Sequence, residues 1–336
     1  MNFKMWGQAL RGIPRLSKEE WQQLDIISRW LIVTRAAVLV MTFLSATIAG
    51  ILAYRDGHFI WWRWSLLTLG LIFAHATNNI INDLTDHKKG VDRDNYFRTQ
   101  YGLQPLESEV LTEKQLWVYA SVTGALALLA GLPLVLLNGW IAWILLLLLG
   151  VIFVLFYTYP LKYIGLGEIA VILVWGPLMI GGGYFVITGN WNWLPVLASL
   201  PYALGTTMVI FGKHIDKIDA DGAKGIRTLP VLMGEKLARF FAMGMLALQY
   251  LLVFYLVISR EFTPALILVI MAMDTIPNVW KVYKDPRPVE RPESFPADTW
   301  PLYYVALAFL HNRQFGLWYF LGLTLDVVFR HFHIFA

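Results

Sequence analysis

The stretch WSLLTLGLIFAHATNNIINDLTDHKKGVD (Trp64–Asp92) begins as an apolar run and ends in amides and carboxylates. Residues three and four apart share one face of a helix, so the run predicts a membrane helix with a polar stripe at its inner end. Carboxylates are costly inside a membrane, so this pattern favours a functional site. The predicted stripe consists of His75, Asn79, Asn82, Asp83 and Asp86, and Asp92 follows on a predicted loop.

The composition indicates a membrane protein with several helices. Hydrophobic residues make up 57% of the 336 residues and charged residues only 15%, which is atypical of a soluble domain. The absence of cysteine excludes disulfides, thiolate metal sites and thiol catalysis. The net charge of +4 is small and no basic block indicates nucleic-acid binding. No cleavable signal peptide is predicted.

Apolar runs longer than about 18 residues predict membrane-spanning helices. We predict an all-α fold with nine transmembrane helices around a central cavity, in two four-helix-like halves, preceded by a cytoplasmic or interfacial segment at residues 1–30. Of the 27 Lys and Arg residues, 23 fall on one side, which places the N-terminus and the active site on the cytoplasmic side and the C-terminus outside. The predicted spans are 31–54, 61–82, 116–137, 139–157, 166–188, 193–212, 240–259, 262–280 and 302–332.

A second acidic cluster ends the sixth predicted span, in FGKHIDKIDADGAKGIRTLPVLMG (211–234). Clustered carboxylates repel one another unless cations neutralise them. Hard oxygen ligands favour Mg²⁺ or Ca²⁺, and Mg²⁺ typically bridges one or two carboxylates to a phosphate. The two clusters together predict a cradle for a diphosphate, with basic side chains on the phosphate oxygens. The second cluster contains Asp216, Asp219, Asp221, Lys213, Lys217, Lys224 and Arg227.

Each of these features alone has a simpler interpretation. An acidic pair at a helix end is often solvated surface, and Lys217 and Asp221, four residues apart, could form a surface ion pair. His75 by itself is typical of a helix–helix hydrogen bond. Two clusters on the same predicted side, each at the end of an apolar helix, favour the shared site.

Three motifs, in order along the chain, resemble those of the UbiA superfamily of intramembrane prenyltransferases. They are Asn82-Asp83-x-x-Asp86, YTYPLKYIGLGEI (157–169) and the second acidic cluster with GAKGIRTLPVLMG (222–234). The first motif is most similar to the branch that prenylates dihydroxynaphthoate in the menaquinone pathway. The resemblance runs from about Arg29 to the end of the ninth predicted span, so residues 31–336 are predicted to form the transmembrane prenyltransferase domain. It implies Mg²⁺-dependent transfer of an isoprenyl chain from a polyprenyl diphosphate to a lipophilic, aromatic acceptor. Membrane lipids are the other expected partner, and the oligomeric state is left open.

The resemblance also implies roles for individual residues. The metal ligands would be Asn82, Asp83, Asp86 and Asp92 in the first motif, and Asp216, Asp219 and Asp221 in the second. The predicted catalytic residues are Asp83, Asp86, Asp216, Asp221 and Lys162, which matches a family lysine that contacts the diphosphate. The predicted substrate-binding residues are Asn79, Asn82, Arg35, Lys213, Lys217, Arg227, Tyr157, Tyr159 and His75. Aromatic side chains for a dry chamber around an allylic cation are Phe73, Tyr157, Tyr159, Trp175 and Tyr184.

The sequence departs from the family pattern at several positions. The second motif normally reads D-x-x-x-D, but the residue four before Asp221 is Lys217. Either Asp216 or Asp219 would then fill the first position. Ala36 also replaces a family proline after the arginine at position 35, and Gln104 stands where the family usually has arginine.

Two other functions are compatible with parts of the sequence. A terpene cyclase of the same fold is one alternative, and it would release hydrocarbon from a prenyl diphosphate without an acceptor. A cation-coupled transporter is the other, because acids near the bilayer centre mark ion paths. Asp274, three residues before Pro277, favours transport. The other acids lie at the inner ends of the predicted spans, which favours the prenyltransferase.

Overall fold

The computed structural model describes residues 2–91, 102–297 and 299–334. All regular secondary structure in these residues is helical, which confirms the predicted fold class. The chain divides into two compact units, each assembled from segments that are distant in sequence. The first unit comprises Met1–Phe43 and Ser65–Pro160, and the second comprises Leu44–Trp64 and Leu161–Ala336.

The first unit begins with three short helices, α1 (Phe3–Arg11), α2 (Lys18–Gln22) and α3 (Ile26–Val33). Side chains cap their first turns. Ser17 and Glu20 form a reciprocal capping box at α2, and Asp25 accepts hydrogen bonds from two backbone N–H groups at the start of α3. Trp21 of α2 is buried in one core cluster with Ile80 and Leu84. The N-terminal segment is therefore packed into this unit.

Four helices follow along the chain: α4 (Ala36–Arg55), α5 (Trp61–Lys88), α6 (Glu113–Ala142) and α7 (Gly150–Phe156). The segment Leu44–Trp64, with most of α4 and the start of α5, belongs to the second unit. A π-helical segment, Trp143–Leu149, joins α6 to α7. Gly139 has a φ of 70° and a ψ of −155° and interrupts α6. Glycine tolerates positive φ because it has no Cβ. The interruption falls at the turn predicted between spans 116–137 and 139–157.

The second unit contains the remaining helices. A continuous rod consists of α8 (Gly167–Leu173), a π-helical segment (Val174–Gly182) and α9 (Gly183–Thr188). The following helices are α10 (Trp193–Asp216), α11 (Ile218–Ala223), α12 (Leu229–Met233) and α13 (Glu235–Ile258). A 3₁₀ segment (Pro264–Thr275) continues into α14 (Ile276–Tyr283), and α15 covers Tyr303–His331.

Within the described residues, six helical segments are long and apolar enough to cross a membrane. The predicted spans 61–82 and 302–332 are helical as well, in α5 and α15, but these two helices are not among the six. Nine spans and the sidedness of the termini therefore remain predictions. The six segments are Ala36–Arg55, Glu113–Phe156, Gly167–Thr188, Trp193–Asp216, Glu235–Ile258 and Pro264–Tyr283.

Close helix packing in the second unit requires a glycine on α10. A Cβ at Gly212 would lie 2.7 Å from the hydroxyl oxygen of Tyr283 and 2.9 Å from the Cα atom of Val305. Small residues at such contacts let the backbones of membrane helices approach one another. The same position allows α15 to begin directly beside the end of α10, where the second acidic cluster lies.

We expect Gly212→Ala to destabilise the protein by about 1–3 kcal/mol, because overpacking forces a backbone shift. Thermal unfolding of the purified protein in detergent measures the effect. The matched control is Gly244→Ala on α13, where a Cβ meets nothing within 4 Å and helix propensity favours alanine. Equal melting temperatures for the two variants would contradict this account of the contact.

Candidate functional site

The polar stripe of α5 contacts the turn between α3 and α4. Arg35 lies in this turn with a φ of 57°, a left-handed conformation that is costly for a residue with a Cβ. The side-chain amide of Asn79 donates a hydrogen bond of 2.9 Å to the backbone carbonyl of Thr34. A buried amide of α5 therefore stabilises the turn that presents Arg35.

Arg35 forms an ion pair with the first acidic motif. Its guanidinium Nη2 donates to Oδ1 of Asp83. The two side chains are only 13% and 7% exposed, so the charge of Asp83 is balanced within the first unit. Asp86, three residues further along α5, is also buried. The structure thus brings Arg35, Asp83 and Asp86 of the predicted site together, whereas Asp92 lies outside the described residues.

Two amide side chains, Asn82 of the stripe and Asn78, attach α5 to the end of α7. Asn82 Nδ2 donates 2.9 Å to the hydroxyl oxygen of Thr158, and Asn78 Nδ2 donates 2.9 Å to the carbonyl of Val154. Because the amide nitrogen of Asn82 donates to Thr158, the side-chain carbonyl oxygen is the atom of Asn82 suited to bind a hard cation. This is the oxygen chemistry that the sequence predicts for the first motif.

Other predicted residues of the first unit make structural contacts. His75 Nδ1 lies 2.7 Å from the hydroxyl of Thr42 on α4, the helix–helix hydrogen bond of the simpler interpretation. The ammonium of Lys89 lies 3.7 Å from the ring centroid of Tyr159, within cation–π range. Tyr157, at the end of α7, is half-buried.

Asp216 of the second cluster caps a helix. Its Oδ1 accepts hydrogen bonds from the backbone N–H groups of Tyr303 (3.1 Å) and Tyr304 (3.0 Å), and its Oδ2 accepts one from Val305 (3.0 Å). These are the first N–H groups of α15, which lack partners within the helix. Arg287 lies 4.0 Å from the same carboxylate. Asp216 therefore fixes the start of α15.

Lys217 and Asp221 form the ion pair that their spacing predicts, with Nζ 3.1 Å from Oδ1. The pair is buried rather than at the surface, since the two residues are 7% and 2% exposed. Asp219, between them, is exposed. The three carboxylates of the second cluster are thus in three different environments.

Two buried residues that the sequence analysis missed support this cluster. Glu168, at the start of α8, accepts the backbone N–H of Leu229 and lies 2.6 Å from Nδ1 of His214 on α10. The pair joins the YTYPLKYIGLGEI motif to both ends of the second acidic segment. The sequence signal that could have identified Glu168 is its position at the start of an apolar helix. A buried acid there requires a partner.

The remaining predicted residues of the second unit are placed separately. Lys162 is buried in a 3₁₀ turn, Leu161–Ile164. Lys213 lies in the last turn of α10. Arg227 is exposed between α11 and α12. Tyr184 donates a 2.7 Å hydrogen bond to Asp56, so its hydroxyl has a structural partner.

Comparison with known proteins identifies the fold family. The pattern of the UbiA prenyltransferase family matches residues 43–312 of the chain. The chain belongs to the UbiA prenyltransferase family. It is accordingly a prenyltransferase and an integral membrane protein, as the sequence predicts. The resemblance stated from three motifs is confirmed.

Relatives of this UbiA protein include an octaprenyltransferase and a phytyltransferase. The chain is 28% identical over 228 residues to 1,4-dihydroxy-2-naphthoate octaprenyltransferase of Escherichia coli, covering 65% of this chain and 72% of the relative. It is 26% identical over 221 residues to 2-carboxy-1,4-naphthoquinone phytyltransferase of Synechocystis, covering 62% and 67%.

Solved structures of UbiA homologues share the fold. An apo structure of a homologue from Aeropyrum pernix has a TM-score of 0.64 at 19% identity and covers 85% of this chain and 97% of its own. A homologue from Archaeoglobus fulgidus bound to GPP and Mg²⁺ has a TM-score of 0.56 at 15% identity, covering 88% and 99%.

The two motifs of this UbiA chain differ in their fit to a divalent cation. Asp83 and Asp86 lie one helical turn apart and are buried, and Asn82 adds an amide oxygen. This set suits Mg²⁺, which needs one or two carboxylates and completes its shell with water and phosphate. In the second motif, Lys217 is no ligand and Asp216 is engaged by three N–H groups. No compact group of three acidic or histidine ligands occurs among the described residues.

We expect Asp216→Ala to lower the stability of the enzyme by about 1–3 kcal/mol, because three buried N–H groups lose their acceptor. The melting temperature, followed by the fluorescence of the 15 tryptophans, measures the loss. Asp219→Ala is the matched control, since Asp219 is exposed and three residues away. An Asp216→Ala variant that melts with the wild type would show that the cap does not hold α15.

Proposed function

We propose that this enzyme transfers an isoprenyl chain from a polyprenyl diphosphate to a lipophilic aromatic acceptor of the naphthoate type, with Mg²⁺ at the diphosphate. The observation that carries the proposal is the buried Asn82-Asp83-x-x-Asp86 motif at the end of α5, in a chain of the UbiA family. Relatives named for naphthoate and naphthoquinone prenylation support the acceptor class. The homologue bound to GPP and Mg²⁺ supports the donor and the cation.

Both acidic motifs serve one diphosphate in this proposal. Asn82, Asp83 and Asp86 would hold Mg²⁺, which would supply positive charge to the diphosphate, and Asp92 is a further candidate ligand. The second motif, in the other half of the sequence, contributes the basic side chains Lys213, Lys217 and Arg227 for the phosphate oxygens. Placing the motifs on the cytoplasmic side follows from the distribution of lysine and arginine.

The chemistry requires that an allylic C–O bond break while the diphosphate departs. Mg²⁺ supplies positive charge to the leaving group when bound. Arg35 and Lys162 are fixed cations of this chain suited to the same task, because both side chains are nearly buried and preorganised. The turn between α3 and α4, held by Asn79, aims Arg35 at the first motif.

The allylic cation that remains must be protected from water until the acceptor attacks. Phe73, Tyr157, Tyr159 and Trp175 are the aromatic side chains proposed for this chamber. Trp175 is buried in the π-helical segment between α8 and α9. The apolar tail of the donor lies among helices whose outer faces are suited to lipid, which explains why the reaction takes place in a membrane.

We expect the double variant Asp83→Asn, Asp86→Asn to lose at least about 100-fold in the rate of prenyl transfer. The neutral amides lack the negative charge with which the two carboxylates would bind Mg²⁺. Transfer of a labelled geranylgeranyl chain to 1,4-dihydroxy-2-naphthoate in isolated membranes measures the loss. The neutral amides keep the shape of both side chains, but Arg35 loses its buried ion pair with Asp83. Melting temperatures measured in parallel therefore show whether the variant is folded.

The control for this variant is Asp285→Asn. Asp285 is acidic but has a side chain that is 71% exposed, and its removal should leave transfer unchanged. Normal Mg²⁺-dependent transfer by the Asp83→Asn, Asp86→Asn protein would disprove the assignment of the first motif.

The terpene cyclase alternative is tested with the acceptor omitted. With geranylgeranyl diphosphate and Mg²⁺ alone, we expect no hydrocarbon product by mass spectrometry, and a prenylated product when a panel of aromatic acids is added. Chelation of divalent ions with EDTA should abolish the product. Release of a cyclic hydrocarbon without acceptor would favour the cyclase instead.

A further inference from the structure

The second acidic motif has a cation built into it. In the family pattern D-x-x-x-D, the first position is the residue four before Asp221, and here it is Lys217. Its Nζ lies 3.1 Å from Oδ1 of Asp221, and both residues are nearly buried. An ammonium has three donors and no lone pair, so it repels a divalent ion instead of binding one. The position that usually carries a negative charge carries a positive one.

Asp216 does not replace the missing ligand. Both of its oxygens accept backbone N–H groups at the start of α15, at 3.0–3.1 Å, and its side chain is completely buried. Turning this carboxylate towards a metal would leave three N–H groups of a 29-residue helix without an acceptor. The residue adjacent to Lys217 therefore has a structural role.

Asp219 does not replace it either. On α11, Asp219 and Asp221 are two residues apart, which separates their side chains by roughly 200° around the helix axis. The burial pattern agrees, because Asp219 is exposed and Asp221 is buried. The two carboxylates cannot converge on one ion while α11 remains helical. One buried carboxylate is left, and Lys217 already neutralises it.

We propose that the second motif of this enzyme holds no divalent ion and that the ammonium of Lys217, oriented by Asp221, contacts the diphosphate in its place. This inference rests on the proposed function and specifies how the diphosphate is bound. With one proton directed to Asp221, Lys217 has two further donors for phosphate oxygens. Lys213, in the last turn of α10, adds a second cation. Metal binding is then confined to the first motif.

The experiment counts the ions bound to the full-length protein in lipid nanodiscs. Mn²⁺ replaces Mg²⁺, and geranylgeranyl thiolodiphosphate, a slowly reacting analogue, is the diphosphate probe. Mn²⁺ EPR reports how many ions are bound and whether two of them are magnetically coupled across one diphosphate. We expect one uncoupled ion per wild-type chain. Two coupled ions would overturn the inference.

Two variants of one residue sharpen the test. Lys217→Asp restores the family pattern, and we expect this variant to bind a second, coupled ion. If it binds a single ion, Lys217 is not the reason that the second motif lacks a metal. Lys217→Gln keeps a polar side chain with hydrogen-bond donors, one atom shorter than lysine, but removes the charge. We expect it to bind one ion and to bind the analogue roughly 10- to 100-fold more weakly, as for loss of a charge-assisted hydrogen bond.

Unchanged affinity of Lys217→Gln for the analogue would overturn the role of the ammonium. Melting temperatures measured in parallel show whether each variant is folded. If Lys217→Asp does not fold, the number of Mn²⁺ ions bound by the wild type and the affinity of Lys217→Gln for the analogue still test the inference. Failure of the proposed function looks different. The wild type would then bind neither the analogue nor Mn²⁺, and the inference would fall with it.

Discussion

The need to neutralise buried carboxylates determines how both motifs are built. Each of four buried acids has a partner within its own unit: Asp83 an arginine, Asp216 three backbone N–H groups, Asp221 a lysine and Glu168 a histidine. An unpaired charge in an apolar interior costs several kcal/mol, whereas a paired one is tolerated. The kind of partner therefore separates acids that hold the fold from acids suited to chemistry.

That distinction changes the meaning of the acidic clusters. Asp216 and Glu168 accept backbone N–H groups, and such bonds persist only while α15 and the segment at Leu229 keep their positions. Asp83 is paired with the side chain of Arg35, which is displaced at less cost than a helix terminus. Acids bonded to the backbone are structural, whereas an acid paired with an arginine side chain, as Asp83 is, can exchange that partner for a metal ion.

The sequence predicted that the residues of the first motif share one helix, but it did not predict the partners of Asp216. Helical periodicity placed Asn79, Asn82, Asp83 and Asp86 on one helix because their contacts depend on local geometry. The capping of α15 by Asp216 joins residues 87 to 89 positions apart, and no local pattern encodes such a contact. The pair of Glu168 and His214 is similarly distant, at 46 positions. The turn at Gly139 was predicted because its signal is local, whereas the exact number of spans depends on polar helices such as α5.

A fixed ammonium and a bound metal neutralise a leaving diphosphate in different ways. A metal brings two charges but must be bound with the substrate and shed waters that it holds strongly. Lys217 brings one charge and is already desolvated and oriented by Asp221, so it needs little reorganisation when the C–O bond breaks. Two further cations of the same unit, Lys213 in the last turn of α10 and the buried Lys162, are available to offset the smaller charge. An enzyme with this arrangement depends on divalent ions only through its first motif, where an arginine, and not a helix end, holds the carboxylate.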